Sequence, residues 1–243
     1  MALAVERAVM PDNALRNILR RVPPNSVLYY PGLDYGNWYT GTILDYSGLS
    51  APNNGTITGA TPVRLSSGLP VLSLDGDDYV EIADAPNLRN FTSFSLKMWV
   101  KTVSTSAYII HKGSLLSNKY YTVYTDANGK LIFAYRDDNV LEKSLTSTNA
   151  WNDNKYHHVV AVRTSGVSTE IFVDGVSDGS STAGIGTGSF TGADRVLRFG
   201  TSSVAIPTNY LTGYVPLPVI VPEALTIGWA INNCKKESWM LGV

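Results

Sequence analysis

Residues 154–175 read NKYHHVVAVRTSGVSTEIFVDG, so two of only three histidines stand side by side as His157 and His158. Such a pair could serve as a general base or as metal ligands, since imidazole titrates near neutrality and binds metals through either ring nitrogen. The run that follows argues against both. On a strand, His157, Val159 and Ala161 share one face, while His158, Val160 and Val162 share the other. Neighbouring rings on opposite faces cannot close on one ion. A packed, hydrogen-bonded imidazole within a β structure is expected, and the sequence offers neither ring a nucleophile or an acid partner.

Carboxylates are the other candidates for chemistry. A retaining glycosidase needs two carboxyl groups about 5–5.5 Å apart and an inverting one about 6.5–9.5 Å. Positions two apart on one strand supply a separation of about 6.5–7 Å. Glu81 and Asp84 are three apart, which puts them on opposite faces, and no E-x-D-x-x-E run occurs. The chain is therefore expected not to be an enzyme, with no catalytic residue assigned. Asp75, Asp77 and Asp78 form one acidic cluster, and Asp137, Asp138 and Asn139 another. Calcium takes six to eight oxygens, but Asp and Asn also satisfy backbone donors in turns. The turn reading is favoured for both clusters, calcium stays an alternative, and no metal ligand is assigned. Tyr29, Tyr30, Tyr35, Trp38 and Tyr39 crowd one segment. Aromatic faces can stack on sugars, yet these residues also dominate β cores and interfaces. Core or interface is expected, and the binding residues stay unassigned.

Composition narrows the function classes. The formal net charge is −1, so no polybasic surface points to nucleic acid or an anionic membrane. Cys234 is the only cysteine, which excludes an intrachain disulfide and any multi-cysteine zinc site. No run approaches the roughly 18 apolar residues of a membrane span. In MALAVERAVMPDNALRNILRRV, Glu6 and Arg7 interrupt the apolar stretch, so no secretory signal is read there and folding in a cytoplasm is expected.

The elements follow from periodicity. Leu15, Ile18, Leu19 and Val22 lie at helical spacing after a capping Asp12, and Pro23-Pro24 stops that helix. From Val27 onward, twelve short β-branched and aromatic runs alternate with Gly, Asn, Asp and Ser clusters, VLYYP through RVLRFG. Asn128-Gly129 and Asp174-Gly175 mark tight turns. The pattern predicts an all-β, two-sheet antiparallel sandwich with a helical arm in 1–26, a β domain over 27–227 and a tail over 228–243. Residues 177–193 read as a long Gly/Ser/Thr loop, Pro216 and Pro218 confine their strand to an edge or a bend, and a short helix is expected between Ala224 and Lys236.

The order of these segments resembles the laminin-G-like, concanavalin A-like jelly roll. Asp45, Ser47-Gly48, Asn54-Gly55-Thr56, Asp75-Gly76, Asp78-Tyr79-Val80 and Trp99-Val100 match its first half. Ile109-Ile110, Lys112-Gly113, Tyr121-Thr122-Val123, His157-His158-Val159 and Val173-Asp174-Gly175 match its second. The usual acidic pair of its last strand is replaced by Pro216-Leu217-Pro218. The resemblance implies a jelly-roll sandwich and places the paired histidines at the start of a core strand.

Relatives of this kind normally work outside cells, whereas this sequence reads as made without export. A virion component reconciles the two, so a phage capsid decoration, fibre or tail protein is the expectation. Its partners would be other virion subunits, met through the N-terminal arm or the C-terminal tail, in a homo-oligomer or larger assembly, with host surface glycans as a further partner. The alternative is a carbohydrate-binding or adhesion module not tied to a virion.

Overall fold

The computed structural model describes residues 24–32, 35–114, 118–139 and 142–243, so most of the expected N-terminal helical arm lies outside them. Two antiparallel sheets form the sandwich. The nine-stranded sheet comprises β1 (Leu28–Tyr29), β4 (Thr61–Arg64), β5 (Pro70–Asp75), β7 (Phe94–Thr102), β12 (His157–Thr164), β13 (Ser168–Val173), β14 (Val176–Ser181), β16 (Thr212–Tyr214) and β17 (Val219–Val221). The eight-stranded sheet runs in the order β11 (Glu142–Ala150), β10 (Lys130–Arg136), β9 (Lys119–Thr125), β8 (Tyr108–Ser114), β15 (Leu197–Phe199), β6 (Tyr79–Ile82), β3 (Gly55–Thr58) and β2 (Thr42–Ile43).

Alternation decides which side each residue faces. Phe94, Leu96, Met98 and Val100 of β7 meet Tyr121, Val123, Phe133 and Tyr135 of β9 and β10 in the inter-sheet core. Their neighbours Lys97 and Trp99 point to the outer face of the nine-stranded sheet. That face is sealed by a helix. α1 (Tyr35–Trp38) is a single turn, but α2 (Ile227–Leu241) lays Ala230 on Val160, Val162 and Phe172, and Met240 and Leu241 on Tyr29, Val71 and Trp99. Thr226 caps its start by accepting from Trp229 N, and left-handed Gly242 (φ 76°) ends it.

Each of the twelve expected runs contains a strand. Asp126 accepts from the N–H groups of Asn128 and Lys130 in the β9–β10 turn. Asp174 (φ 52°) and Gly175 (φ 79°) form the two left-handed positions of the β13–β14 turn, the signature of a type I′ hairpin. Asp45, from the matched Asp-x-Ser-Gly stretch, accepts from Tyr29 N and Asn53 N and so ties β1 to the chain entering β3.

Two expectations are revised, and the choice left open for the prolines is settled. The Gly/Ser/Thr run is not all loop, because the tight turn at Asp174-Gly175 returns Val176–Ser181 onto β13 as β14. The C-terminal helix runs to Leu241 rather than stopping at Lys236, because Glu237 faces inward to a buried partner. The prolines make a bend inside the sheet, not an edge. Leu217 (φ 53°) breaks the strand, so β7 pairs with β16 and then β17, bridged by Trp99 N–H to Pro216 O at 3.0 Å.

Candidate functional site

The two histidines separate as alternation requires. His157 sits at the sandwich rim, where Nδ1 is 2.8 Å from Asp174 and Nε2 is 2.9 Å from Asp153. Burial lowers the affinity of this ring for a proton, but bonds to the two carboxylates outweigh it and raise the pKa. Its partner Asp153 is held at about 2 by the same bonds against the opposing effect of burial. The group is a clamp. It ties the start of β12 to the β13–β14 turn, whose Asp174 also accepts from His158 N–H.

His158 lies beneath α2. Its Nε2 is 2.9 Å from Asn233 Oδ1, while Asn233 Nδ2 donates to Glu237 at 3.2 Å. The amide oxygen therefore accepts, the imidazole proton sits on Nε2, and Nδ1 is a buried acceptor without a partner among the described residues. Burial, reinforced by the nearby Lys97 ammonium, pulls its pKa down to about 4, so the ring is neutral at pH 7. Glu237 also takes Trp99 Nε1 at 2.7 Å and pairs with the fully buried Lys97. This network holds a helix on a sheet.

Neither acidic cluster assembles a calcium cage. Asp75, Asp77 and Asp78 converge to within 4.8 Å, the only such group among the described residues, yet Asp78 is already closing the turn by accepting from Asp75 N–H. That backbone bond is the one the turn reading expects of the cluster. Asp137 is wholly buried: its Oδ2 takes Arg163 Nη2 at 2.7 Å and Gly188 N at 3.0 Å. Asp138 accepts from Ser189, Thr191 and Gly192, which hold it near 2 although burial pushes the other way. The donors are some fifty residues distant, so this is more than a local turn. It locks the 184–193 segment to the sandwich.

Of the N-terminal aromatics, Tyr29, Tyr30 and Trp38 are core and Tyr39 is exposed. Glu81 and Asp84 do not meet as a pair: Glu81 binds Arg198 at 2.7 Å and Asp84 binds Lys112 and Arg89.

A different set of aromatics was missed in the sequence. On β9 and β10, Tyr121, Val123, Leu131, Phe133 and Tyr135 fill the core, so Tyr120, Thr122, Tyr124, Ile132, Ala134 and Arg136 line the outer face. No helix covers this face among the described residues. A bulge between Tyr108 and Ile110 buries both Ile109 and Ile110 and brings Tyr108 and His111 onto the same outer side.

The registers then form three rows. Thr146, Ile132, Tyr124 and Tyr108 form one, and Glu142, Arg136 and Tyr120 another. Between them run the short side chains of Ser144, Ala134 and Thr122, ending at His111. The outer rows are four residues apart along the strands, about 13–14 Å, with the middle row between them. Tyr108 and Tyr124 stand partly exposed, with centroids 5.5 Å apart. The 201–209 loop closes the far end, where Ser203 N–H donates to His111 Nδ1 at 3.0 Å. Burial, with the Arg198 charge, lowers the His111 pKa to about 4. Neighbouring side chains close over the middle row, so Thr122, Ala134, His111 and Tyr120 are buried and the face presents the half-buried Tyr108 and Tyr124.

Of the charges on this face Arg198 is paired with Glu81, while Arg136 keeps a buried Nε without a hydrogen-bond partner among the described residues. Arg136 lies 3.6 Å from Glu142, which also accepts from Tyr120 Oη, and Arg198 bonds Glu81 through Nε and Nη2 while lying over the Tyr79 ring. The signal was present as alternation in YYTVYTD and KLIFAYR. Its meaning depended on a bulge and on pairings that the sequence alone does not show.

Comparison with known proteins adds a family and a fold. A laminin G-type family model, described as the concanavalin A-like lectin/glucanases superfamily, matches residues 74–227. No curated protein matches the sequence. Among solved structures, the binding domain of Paraclostridial Mosquitocidal Protein 1 is similar at TM-score 0.63 and 11% identity, covering 88% of this chain and 52% of that one. The botulinum neurotoxin serotype D ligand binding domain, solved with N-acetylneuraminic acid, is similar at TM-score 0.64 and 13% identity, covering 90% and 52%. Domain 4 of AbnA, a GH43 extracellular arabinanase from Geobacillus stearothermophilus, solved with arabinotriose, is similar at TM-score 0.65 and 16% identity, covering 86% and 98%. The chain spans about half the length of the two toxin domains and nearly all of the arabinanase domain. At these identities the likeness is one of fold.

Proposed function

The chain belongs to the concanavalin A-like lectin/glucanases superfamily, and on that premise we propose that it is a non-catalytic, lectin-like binding module for carbohydrate. One observation carries the reading: one sheet is sealed by α2, while the other presents the half-buried Tyr108–Tyr124 pair on a face that no helix covers among the described residues. Partly exposed tyrosines suit sugar rings, which offer C–H faces for stacking and hydroxyls for hydrogen bonds. The carboxylates near this face support a binding role over hydrolysis, because Glu81 is engaged by Arg198 and Glu142 by Arg136 and Tyr120. The arabinanase domain adds weight, since it is matched over 98% of its length and holds a trisaccharide.

The proposal extends to context. The module is a virion component, a capsid decoration, fibre or tail protein, joined to its assembly through residues 1–26 or the 228–243 tail. Support comes from Ile227 and Trp239, which stay 45% and 50% exposed on a helix whose other face is buried. A glycan array probed with the intact chain tests the first part: saturable binding without turnover is expected, and binding to no glycan, or cleavage of one, overturns it. Light scattering and negative-stain imaging of material from the native source test the second. Fixed-stoichiometry particles are expected, and a free 26.3 kDa monomer overturns the virion context.

A further inference from the structure

We infer that Lys97, Asn233 and Glu237 form an autocatalytic site that joins Lys97 Nζ to Asn233 Cγ through an amide bond, fastening α2 covalently to β7. The inference is independent of the carbohydrate reading and concerns the sheet face that α2 covers.

Position comes first. Lys97 projects from the middle of β7, between its register partners Val160 of β12 and Val219 of β17. Asn233 and Glu237 are one turn apart on the buried side of α2. All three are enclosed, at 0%, 5% and 1% exposure. Replacing a buried charge pair by apolar residues is often neutral or stabilising, so docking the helix does not by itself call for one.

The contacts supply each part of an acyl transfer to an amine. Glu237 bridges the reactants: Oε2 pairs with Lys97 Nζ, and Oε1 accepts from Asn233 Nδ2 at 3.2 Å. Because both bonds end on one carboxylate, amine and amide are held next to each other. His158 Nε2–H donates to Asn233 Oδ1 at 2.9 Å, which polarises the carbonyl and stabilises the negative charge that grows there when an amine adds to Cγ. Trp99 Nε1 fixes the carboxylate at 2.7 Å. An amide is a poor electrophile in water, but well-oriented groups react as though at effective concentrations of about 10⁵–10⁸ M.

The step balances within the chain. A proton passes from the Lys97 ammonium to Glu237, leaving a neutral amine and a carboxylic acid. The Nζ lone pair adds to Asn233 Cγ, and the carbonyl pair moves to Oδ1. Glu237 gives its proton to Nδ2 and takes one from Nζ. The carbonyl re-forms, the Cγ–Nδ2 bond breaks, and ammonia leaves with the electron pair of that bond. One N–C bond is made, one is broken, and no co-reactant is consumed. The hydrogen-bonded network described above is the reactant state, and the bond forms from it as the folded chain ages. A pull on the C-terminal end then passes into β7 through a covalent bond.

The experiment follows the intact chain by mass spectrometry, fresh and after incubation at pH 7, and maps the linkage by tryptic digestion. The result expected is a loss of about 17 Da, one ammonia, with a branched peptide joining residues 90–101 to 199–235. Glu237→Gln keeps the side-chain shape without the proton carrier, and conversion should fall at least tenfold. Lys97→Arg keeps a cation against Glu237 without the amine, and should not convert. The wild-type peptide map tests the bond even where a variant does not fold. An unchanged mass after incubation, with no branched peptide, overturns the inference. The same loss in Lys97→Arg also overturns it, because the ammonia then comes from a succinimide at an Asn-Gly step, Asn54-Gly55 or Asn128-Gly129. A branch from 90–101 to 237–243 with loss of water makes Glu237 the acceptor and overturns the role of Asn233.

Discussion

Replacing Glu237 should undo the contact that seals the nine-stranded sheet. Its carboxylate is 1% exposed, pairs with the Lys97 ammonium, and accepts from Trp99 Nε1 and Asn233 Nδ2. Glu237→Leu takes that carboxylate away from a buried charge and from two buried donors. Truncating one side of a buried pair costs about 3–5 kcal/mol. For a domain of this size each kcal/mol moves Tm by about 2–4 °C, so the midpoint should fall by roughly 6–20 °C. Lys97→Met should cost a similar amount. The double variant Lys97→Met/Glu237→Leu should cost at most about 3 kcal/mol, because an apolar replacement of a buried pair is often neutral and the remaining loss is the Trp99 and Asn233 donors. The coupling between the sites is then at least about 3 kcal/mol. Urea denaturation followed by tryptophan fluorescence, with calorimetry alongside, reads all four proteins. Single variants within about 1 kcal/mol of wild type, or strictly additive losses, would refute a network that docks the helix.

Three further outcomes follow from the same geometry. His158 has a folded pKa near 4, below its unfolded value near 6.5, so its contribution is present above pH 6.5 and is lost as pH falls through 4; denaturation at pH 7 and pH 4 should show a loss that His158→Gln reduces. His157 shifts the opposite way. Its raised pKa makes its contribution present below pH 6.5 and lost as pH rises through the folded pKa, so the stability gap between wild type and His157→Gln should narrow on the alkaline side. Gly186→Ala should destabilise by about 1–3 kcal/mol, because its Cβ would stand 2.1 Å from Asp137 Oδ2 in a closed pocket, and a normal urea midpoint would count against the Arg163–Asp137 lock.

Local chemistry was readable in the sequence and distant pairing was not. The Asn128-Gly129 and Asp174-Gly175 turns carry their conformations in their residue types, and HHVVAVR carries its two faces in its alternation. The helix expected to stop at Lys236 runs on to Leu241, and the Glu237 partner was out of sight because only the fold brings Lys97 of β7 beneath it. Asp137 looked like a turn residue because its partners, Arg163 and Gly188, are remote in the chain. The Tyr108–Tyr124 pair was hidden for a related reason. One extra residue in β8 moves Tyr108 beside Tyr124, whereas the aromatics most crowded in the sequence, Tyr29, Tyr30 and Trp38, are spent on the interior.

The sealing helix also fixes which way the module can look. β1 enters the nine-stranded sheet by pairing with β17, and α2 lies over that same sheet, with Met240 O tied to Ser67 Oγ. Both ends of the described chain therefore lie with the sheet that α2 covers. A tether at either end, to a bead or to a surface, leaves the uncovered face of the eight-stranded sheet pointing outward. Many copies held this way present that face in parallel, and any site on it that is weak singly then acts at the high effective concentration the spacing sets.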